Sequence, residues 1–184
     1  ENSRIRGSQP ITFNKLRFNK TIPDSTITIS NNIFVNDSLN YLTDNKAIIS
    51  DNFTVTFNQN SRLYGTFSNL RIFKVSGATT GGKIVKIFPS TGGAANYKQF
   101  LFPIGFDTIY NPVQVYDTAA SYAGAPQIAL KIISGKHPNR LTNNTLNRYW
   151  NVSTQNFTNI DTLKFYYHKA NVQGDTTKYI PSLW

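Results

Sequence analysis

Along the first half of the chain, apolar and polar positions recur in one short phrase; in the second half the phrase gives way to longer alternating runs. The phrase reads Ile29-Ser30-Asn31-Asn32-Ile33-Phe34-Val35, then Ile49-Ser50-Asp51-Asn52-Phe53-Thr54-Val55, then Phe67-Ser68-Asn69-Leu70-Arg71-Ile72. Each copy joins an apolar residue, a Ser-Asn or Ser-Asp corner, and an apolar-x-apolar step. Ile33 to Phe53 spans 20 residues and Phe53 to Leu70 spans 17, and 17 back from Ile33 lands on Leu16, with Phe18 standing for Val35. A repeat of this length predicts stacked rungs, because one rung cannot bury its own apolar face. Between the copies, Pro23-Asp24-Ser25 reads as a turn and Thr26–Ile29 as a half-buried strand. Asn32, Asn52 and Asn69 fall at the corners, where Asn tolerates a left-handed backbone, and they predict a ladder of side-chain amides along the stack.

The texture changes after residue 76. Ser76–Gly82 and Ser90–Asn96 are turn-rich, and Lys83–Phe88 between them reads as a strand capping the stack. Alternating runs then follow at Tyr97–Phe102, Val113–Tyr116, Gln127–Ile133, Tyr149–Val152 and Thr162–Tyr167, the signature of an antiparallel sandwich. The expected fold is therefore all-β. A short right-handed β-solenoid (β-helix) of about four rungs occupies residues 1–88, and an antiparallel β-sandwich occupies residues 89–184.

Composition supports this reading. The 22 Asn, 14 Ser and 20 Thr residues favour corners and strands, while helix formers are scarce, with one Glu and no Met. The chain has no Cys, which removes disulfides and thiolate chemistry. No apolar run approaches the roughly 18 residues of a membrane span. A net charge of +10 invites polyanions, yet the cations are dispersed and form no basic tract, so nucleic acid is not the expected partner. Both ends read as interior to a longer polypeptide, and the terminal Trp184 as packing on a further module.

The order of landmarks carries a family resemblance. Lys83-Ile84-Val85-Lys86-Ile87-Phe88 precedes Phe102-Pro103-Ile104-Gly105, then Tyr110-Asn111-Pro112-Val113, then Arg148-Tyr149-Trp150-Asn151-Val152. This set resembles large secreted surface proteins of Bacteroidetes, the type IX secretion cargo and gliding-adhesin-like proteins, in which β-helical rungs precede such a sandwich. The resemblance implies a structural or adhesive module at the cell surface of a Gram-negative bacterium. It also implies export through the type IX translocon, and contacts with adjacent modules of the parent chain and with surface polysaccharide. Six of the eight Asp residues precede Ser or Thr, where chance predicts roughly 1.5. That pattern resembles the O-glycosylation signal of exported Bacteroidetes proteins and points to Ser25, Ser38, Thr108, Thr118, Thr162 and Thr176.

Catalysis needs convergent titratable groups, and the sequence offers isolated acids and two histidines, His137 and His168, neither at a metal-ligand spacing from another ligand. The expectation is a non-enzymatic module without cofactor or metal. The rival reading, from a different class, is a carbohydrate-binding module. It would present Tyr149, Trp150, Tyr166 and Tyr167, with Trp184 a further candidate, although a Trp on an alternating strand also suits a sandwich core.

Overall fold

The computed structural model describes residues 2–22, 25–50, 52–75, 82–91, 98–118, 122–140, 143–157 and 160–178, and within them the chain is all β. The first half supplies β1 (Ser3–Arg6), β2 (Ile11–Phe18), β3 (Thr26–Ser30), β4 (Ile33–Tyr41), β5 (Lys46–Ile49), β6 (Thr54–Phe57), β7 (Arg62–Tyr64), β8 (Ile72–Val75) and β9 (Lys83–Ile87). Strands β1, β3, β5 and β8 pair in parallel in one sheet. Strands β2, β4, β6 and β9 pair in parallel in a second, and β7 joins the far half of β4. The chain thus shuttles between two parallel sheets, and like residues stack. Ile29, Ile49 and Val75 share one register row, and Ile33, Val55 and Ile84 another. All six are buried, which is the pattern that parallel strands covered on the inner face require.

The second half supplies β10 (Lys98–Phe102), β11 (Ile104–Phe106), β12 (Ile109–Tyr110), β13 (Val113–Asp117), β14 (Gln127–Ser134), β15 (Thr145–Leu146), β16 (Arg148–Gln155), β17 (Thr162–Phe165) and β18 (Val172–Gln173). Here antiparallel pairing dominates. β10, β13 and β17 form a three-stranded sheet, and β15 pairs β18. The other strands continue the first-half sheets. β11 adds to β8 and folds back on itself through β12, while β14 adds antiparallel to β9 and is followed by β16. Hydrogen-bonded ladders therefore cross residue 88, and β9 lies between β6 and β14. The Phe-Pro-Ile-Gly stretch makes the first of these junctions. A Cβ on Gly105 would meet the Ile109 carbonyl oxygen at 2.4 Å, and Asp107 turns the hairpin with φ 54°. One apolar cluster runs through both halves, with Phe57 packed on Phe73 (ring centroids 6.3 Å apart) and on Phe100 (5.2 Å).

The stacking period differs from the one read off the sequence. Ile29 pairs with Ile49, 20 residues on, as the phrase predicts, and the Ser30 and Ser50 hydroxyls lie 3.2 Å apart. Beyond the corner, however, Ile33 pairs with Val55 and not with Phe53, because the second corner is two residues longer. Ile11, not Leu16, lies beneath Ile33, and Leu16 pairs with Leu39. The third copy is a local turn closed by Ser68 and Arg71, and the residue level with Ile29 and Ile49 is Val75. The two corners differ in length and carry polar residues, so apolar matching alone mistakes the offset. The Pro23-Asp24 turn and most of Ser76–Gly82 and Ser90–Asn96 lie outside the described residues.

Candidate functional site

Alternation along β16 sends neighbouring aromatics to opposite faces. Trp150 packs against the core, its ring 5.1 Å from Phe165, and its indole Nε1 donates to the Asn111 carbonyl (3.3 Å). Tyr149 faces the other way, edge-on to His137 at 4.8 Å. Just past β17, the Tyr166 hydroxyl donates to Oε1 of Gln114 (3.3 Å), and its backbone N–H donates to the Pro112 carbonyl. Burial, with Tyr166 close by, pushes the Tyr110 phenol up to about 12. Of the four aromatic candidates, the structure gathers Trp150 and Tyr166 about the segment Tyr110–Gln114 and leaves Tyr149 elsewhere. Tyr167 is about half exposed (47%). Trp184 lies outside the described residues.

Tyr166 borders a polar sheet face that the candidate residues did not include. In β13, Val113, Val115 and Asp117 are buried, so Gln114 and Tyr116 point outward. Registers place Leu101 and Lys164 beside Gln114, and Gln99 and Thr162 beside Tyr116. Amides, phenols and one ammonium thus share an open antiparallel face. Its signal in the sequence was the strict alternation of Val113-Gln114-Val115-Tyr116.

Lys86 is the second feature that sequence reasoning missed. It sits in β9 between β6 and β14, only 4% exposed. Its ammonium donates to the backbone carbonyls of Asn58 (2.7 Å), Gln59 (3.1 Å) and Ser61 (3.0 Å). The rings of Phe88 and Phe100 flank it at 5.8 and 5.5 Å. Burial pushes this amine down to about 8. It opens on a cleft of ≈ 890 Å³ whose charged lining is Arg62, Lys86 and Lys98. Lys98 stands over the Tyr122 ring at 4.5 Å, and that phenol donates to Asp117.

An amide ladder exists along a different row of the stack from the expected one. Asn14, Asn36 and Asn58 each follow an inward residue (Phe13, Val35 and Phe57) that is stacked on its neighbours. Asn36 Nδ2 donates to Asn14 Oδ1 (3.4 Å), and Asn58 Nδ2 donates to Asn36 Oδ1. The three expected asparagines each do something else. Asn32 Oδ1 accepts from the Thr54 N–H (2.9 Å), Asn52 turns its corner with φ 67°, and Asn69 Oδ1 accepts from the Tyr110 N–H (2.8 Å). Asn32 and Asn52 also line a recess of ≈ 360 Å³ with Lys83 and Lys131.

The hydroxyls that follow Asp are scattered in burial and in place. Thr108, Thr118 and Thr176 are exposed; Ser38 and Thr162 are half-buried within β4 and β17. Ser25 is 4% exposed, with its Oγ enclosed, while Asp24 lies outside the described residues. The Thr118 hydroxyl and N–H donate to Asp161, which holds that carboxylate below its usual range, and Asp175 is held down in the same way by the hydroxyl and N–H of Thr177. His137 Nδ1 accepts from the Asn139 N–H and His168 Nδ1 from the Ala170 N–H, so both imidazoles brace local turns. Among the described residues no group of three or more His, Asp or Glu side chains is placed to hold a metal ion. Comparison with family models, with curated proteins and with solved structures gives no match to this chain.

Proposed function

We propose that this chain is a stiff structural and adhesive module of a large secreted bacterial surface protein, built as β-solenoid rungs closed by a sandwich. The observation that carries this reading is the pair of parallel ladders with like residues in register, since such stacking gives a rod held by hydrogen bonds along its axis. The landmarks Phe102–Gly105, Tyr110–Val113 and Arg148–Val152 support the secreted setting through their resemblance to type IX secretion cargo. In that setting the glycan acceptors are the exposed hydroxyls Thr108, Thr118 and Thr176, because a transferase needs an acceptor that projects from the fold. The test is deletion of this segment from its parent gene in the source bacterium, with export followed by labelling of intact cells. The proposal expects the shortened parent to reach the surface and attachment to fall. Unchanged attachment, or labelling only after lysis, overturns it.

The second reading, a carbohydrate-binding module, is favoured by one observation. The Tyr166 phenol and the Gln114 amide are bonded to each other at the rim of a polar sheet face. Sugars are bound by such pairs of aromatic surface and amide. A glycan array that shows defined binding lost in Tyr166→Ala, with the fold retained, would replace the first reading by this one.

A further inference from the structure

The loop between β6 and β7 is fixed from within. The carbonyls of Asn58, Gln59 and Ser61 converge on the Lys86 ammonium at 2.7, 3.1 and 3.0 Å, and the Ser61 hydroxyl donates to the Asn58 carbonyl (2.7 Å). The ammonium thus spends its three protons on this loop. The loop presents Gln59 and Asn60, both exposed, to the cleft of ≈ 890 Å³. β7 continues the lining. Leu63 packs on the core, so alternation sets Arg62 and Tyr64 together on the other face, about 7 Å apart. Both are exposed, Tyr64 by 46%. Gly65, with φ 138°, then carries the chain past the Tyr41 carbonyl oxygen, which a Cβ would meet at 2.7 Å. β10 adds to the lining as well, burying Lys98 and Phe100 and leaving Gln99 exposed.

The charges here select among occupants. Three cations line the cleft and none of its lining residues is a carboxylate. Arg62 and Lys86 form no ion pair among the described residues. Asp117 faces Lys98 in the β10–β13 register, but it is fully buried, accepts from Tyr122 and lies outside the lining. The cleft therefore favours an anion, and its volume suits a small ligand. A run of phosphates gains its affinity from several exposed cations. Lys86 and Lys98 are only 4% and 3% exposed, which leaves Arg62 to make the contact. The side chains of an acidic peptide only accept hydrogen bonds, whereas the amides of Gln59, Asn60 and Gln99 both donate and accept. Sugar hydroxyls do the same, and Tyr64 offers a ring face beside them.

We infer that the cleft lined by β7, β10 and the β6–β7 loop binds a short stretch of acidic saccharide. A uronate carboxylate pairs with the planar Arg62 guanidinium, its pyranose ring packs on Tyr64, and Gln59, Asn60 and Gln99 bond the hydroxyls. Lys86 positions the loop, and the buried cations favour the anion through their field without touching it. The inference uses neither the surface-protein reading nor the Tyr166–Gln114 pair, so each can fail alone.

The probe is trigalacturonate, titrated calorimetrically into the intact chain. Its comparators are neutral galactotriose, end-blocked triglutamate of equal charge, and a short oligothymidylate. Trigalacturonate is expected to bind about tenfold tighter than each of them, and to weaken as salt is raised. Arg62→Gln should weaken it by about the same factor. Tyr64→Ala should weaken it too, and both variants should keep the thermal unfolding of the parent, since both side chains are exposed. Tyr166→Ala should leave this binding unchanged. Equal binding of triglutamate would mean that charge acts alone, and equal binding of oligothymidylate would make the cleft a nucleic-acid site. Either result overturns the inference, as does an absence of trigalacturonate binding. Binding that survives Arg62→Gln but is lost in Tyr166→Ala overturns it as well, and places the sugar on the other face.

Discussion

Lys86 shows how much one side chain can carry where no sequence rule points to it. A buried ammonium is costly unless dipoles surround it, and here three carbonyls and two ring faces do so. The residual cost appears as the fall of its pKa to about 8 from 10.5. Because the folded value is the lower one, the unfolded chain binds more protons between these values, and stability rises as pH climbs through about 8. The gain by pH 9 is on the order of 1 kcal/mol. Above that, Tyr41, Tyr110 and Tyr122 oppose it, since burial raises all three phenols and their ionisation favours the unfolded state. Urea unfolding at pH 7 and pH 9 should show this gain in the native chain and its absence in Lys86→Met. Tyr41 makes a simpler case. Its hydroxyl lies 2.9 Å from the Asn45 carbonyl and 3.1 Å from that of Ile72, both buried. Tyr41→Phe strands those acceptors and should cost about 1–3 kcal/mol, read as a fall in the midpoint of thermal unfolding. At this scale the sequence was legible where local backbone decided, as at Asn52 with φ 67°. It was silent on Lys86, because in Lys-Ile-Val-Lys-Ile a lysine reads as an outward residue, and only the packing of β9 between β6 and β14 turns it inward.

Strands were easier to read than their partners. The alternating runs in the second half match β10, β13, β14, β16 and β17 to within a few residues, because each strand carries its own inward-outward pattern. Register is a property of pairs, and a parallel neighbour lies a full circuit away in sequence. A circuit of 20 residues in one sheet and 22 in the other, with later ones longer still, defeats a search for one fixed spacing. The misplaced ladder follows from this. Matching corners selected Asn32, Asn52 and Asn69, whereas matching inward residues selects Asn14, Asn36 and Asn58. Amides bonded up a stack should be energetically coupled. A double-mutant cycle of Asn36→Ala and Asn58→Ala should give a coupling of about 0.5–1.5 kcal/mol by chemical denaturation. The pair Asn32→Ala and Asn69→Ala, which bond to Thr54 and to Tyr110, should add within about 0.5 kcal/mol. Equal coupling in both pairs would remove the ladder from the account of stability.

At the scale of the molecule, residue 88 marks a change of strand direction but not an interruption of bonding. β8 pairs with β11 and β9 with β14 across it, and Phe57, Phe73, Phe100 and Phe102 lie in the same buried cluster. Unfolding residues 89–184 alone would strip the outer bonds from β8 and β9 and expose the Phe57–Phe100 contact. Unfolding residues 1–88 alone would remove the strand on which β14 is laid. Neither half can then open without a large part of the other's cost, and one cooperative transition is the expected result. Two reporters should separate the cases: Trp150 fluorescence, which follows the second half, and a dye on Asn40→Cys in β4, which follows the first. Coincident urea midpoints, with an m-value appropriate to the whole chain, are expected. Leu130→Ala in β14, at the buried junction with Ile84, should lower both midpoints together by about 2–5 kcal/mol of stability. A shift confined to the Trp150 signal would show that the parallel stack stands on its own and that the antiparallel half merely rests on it.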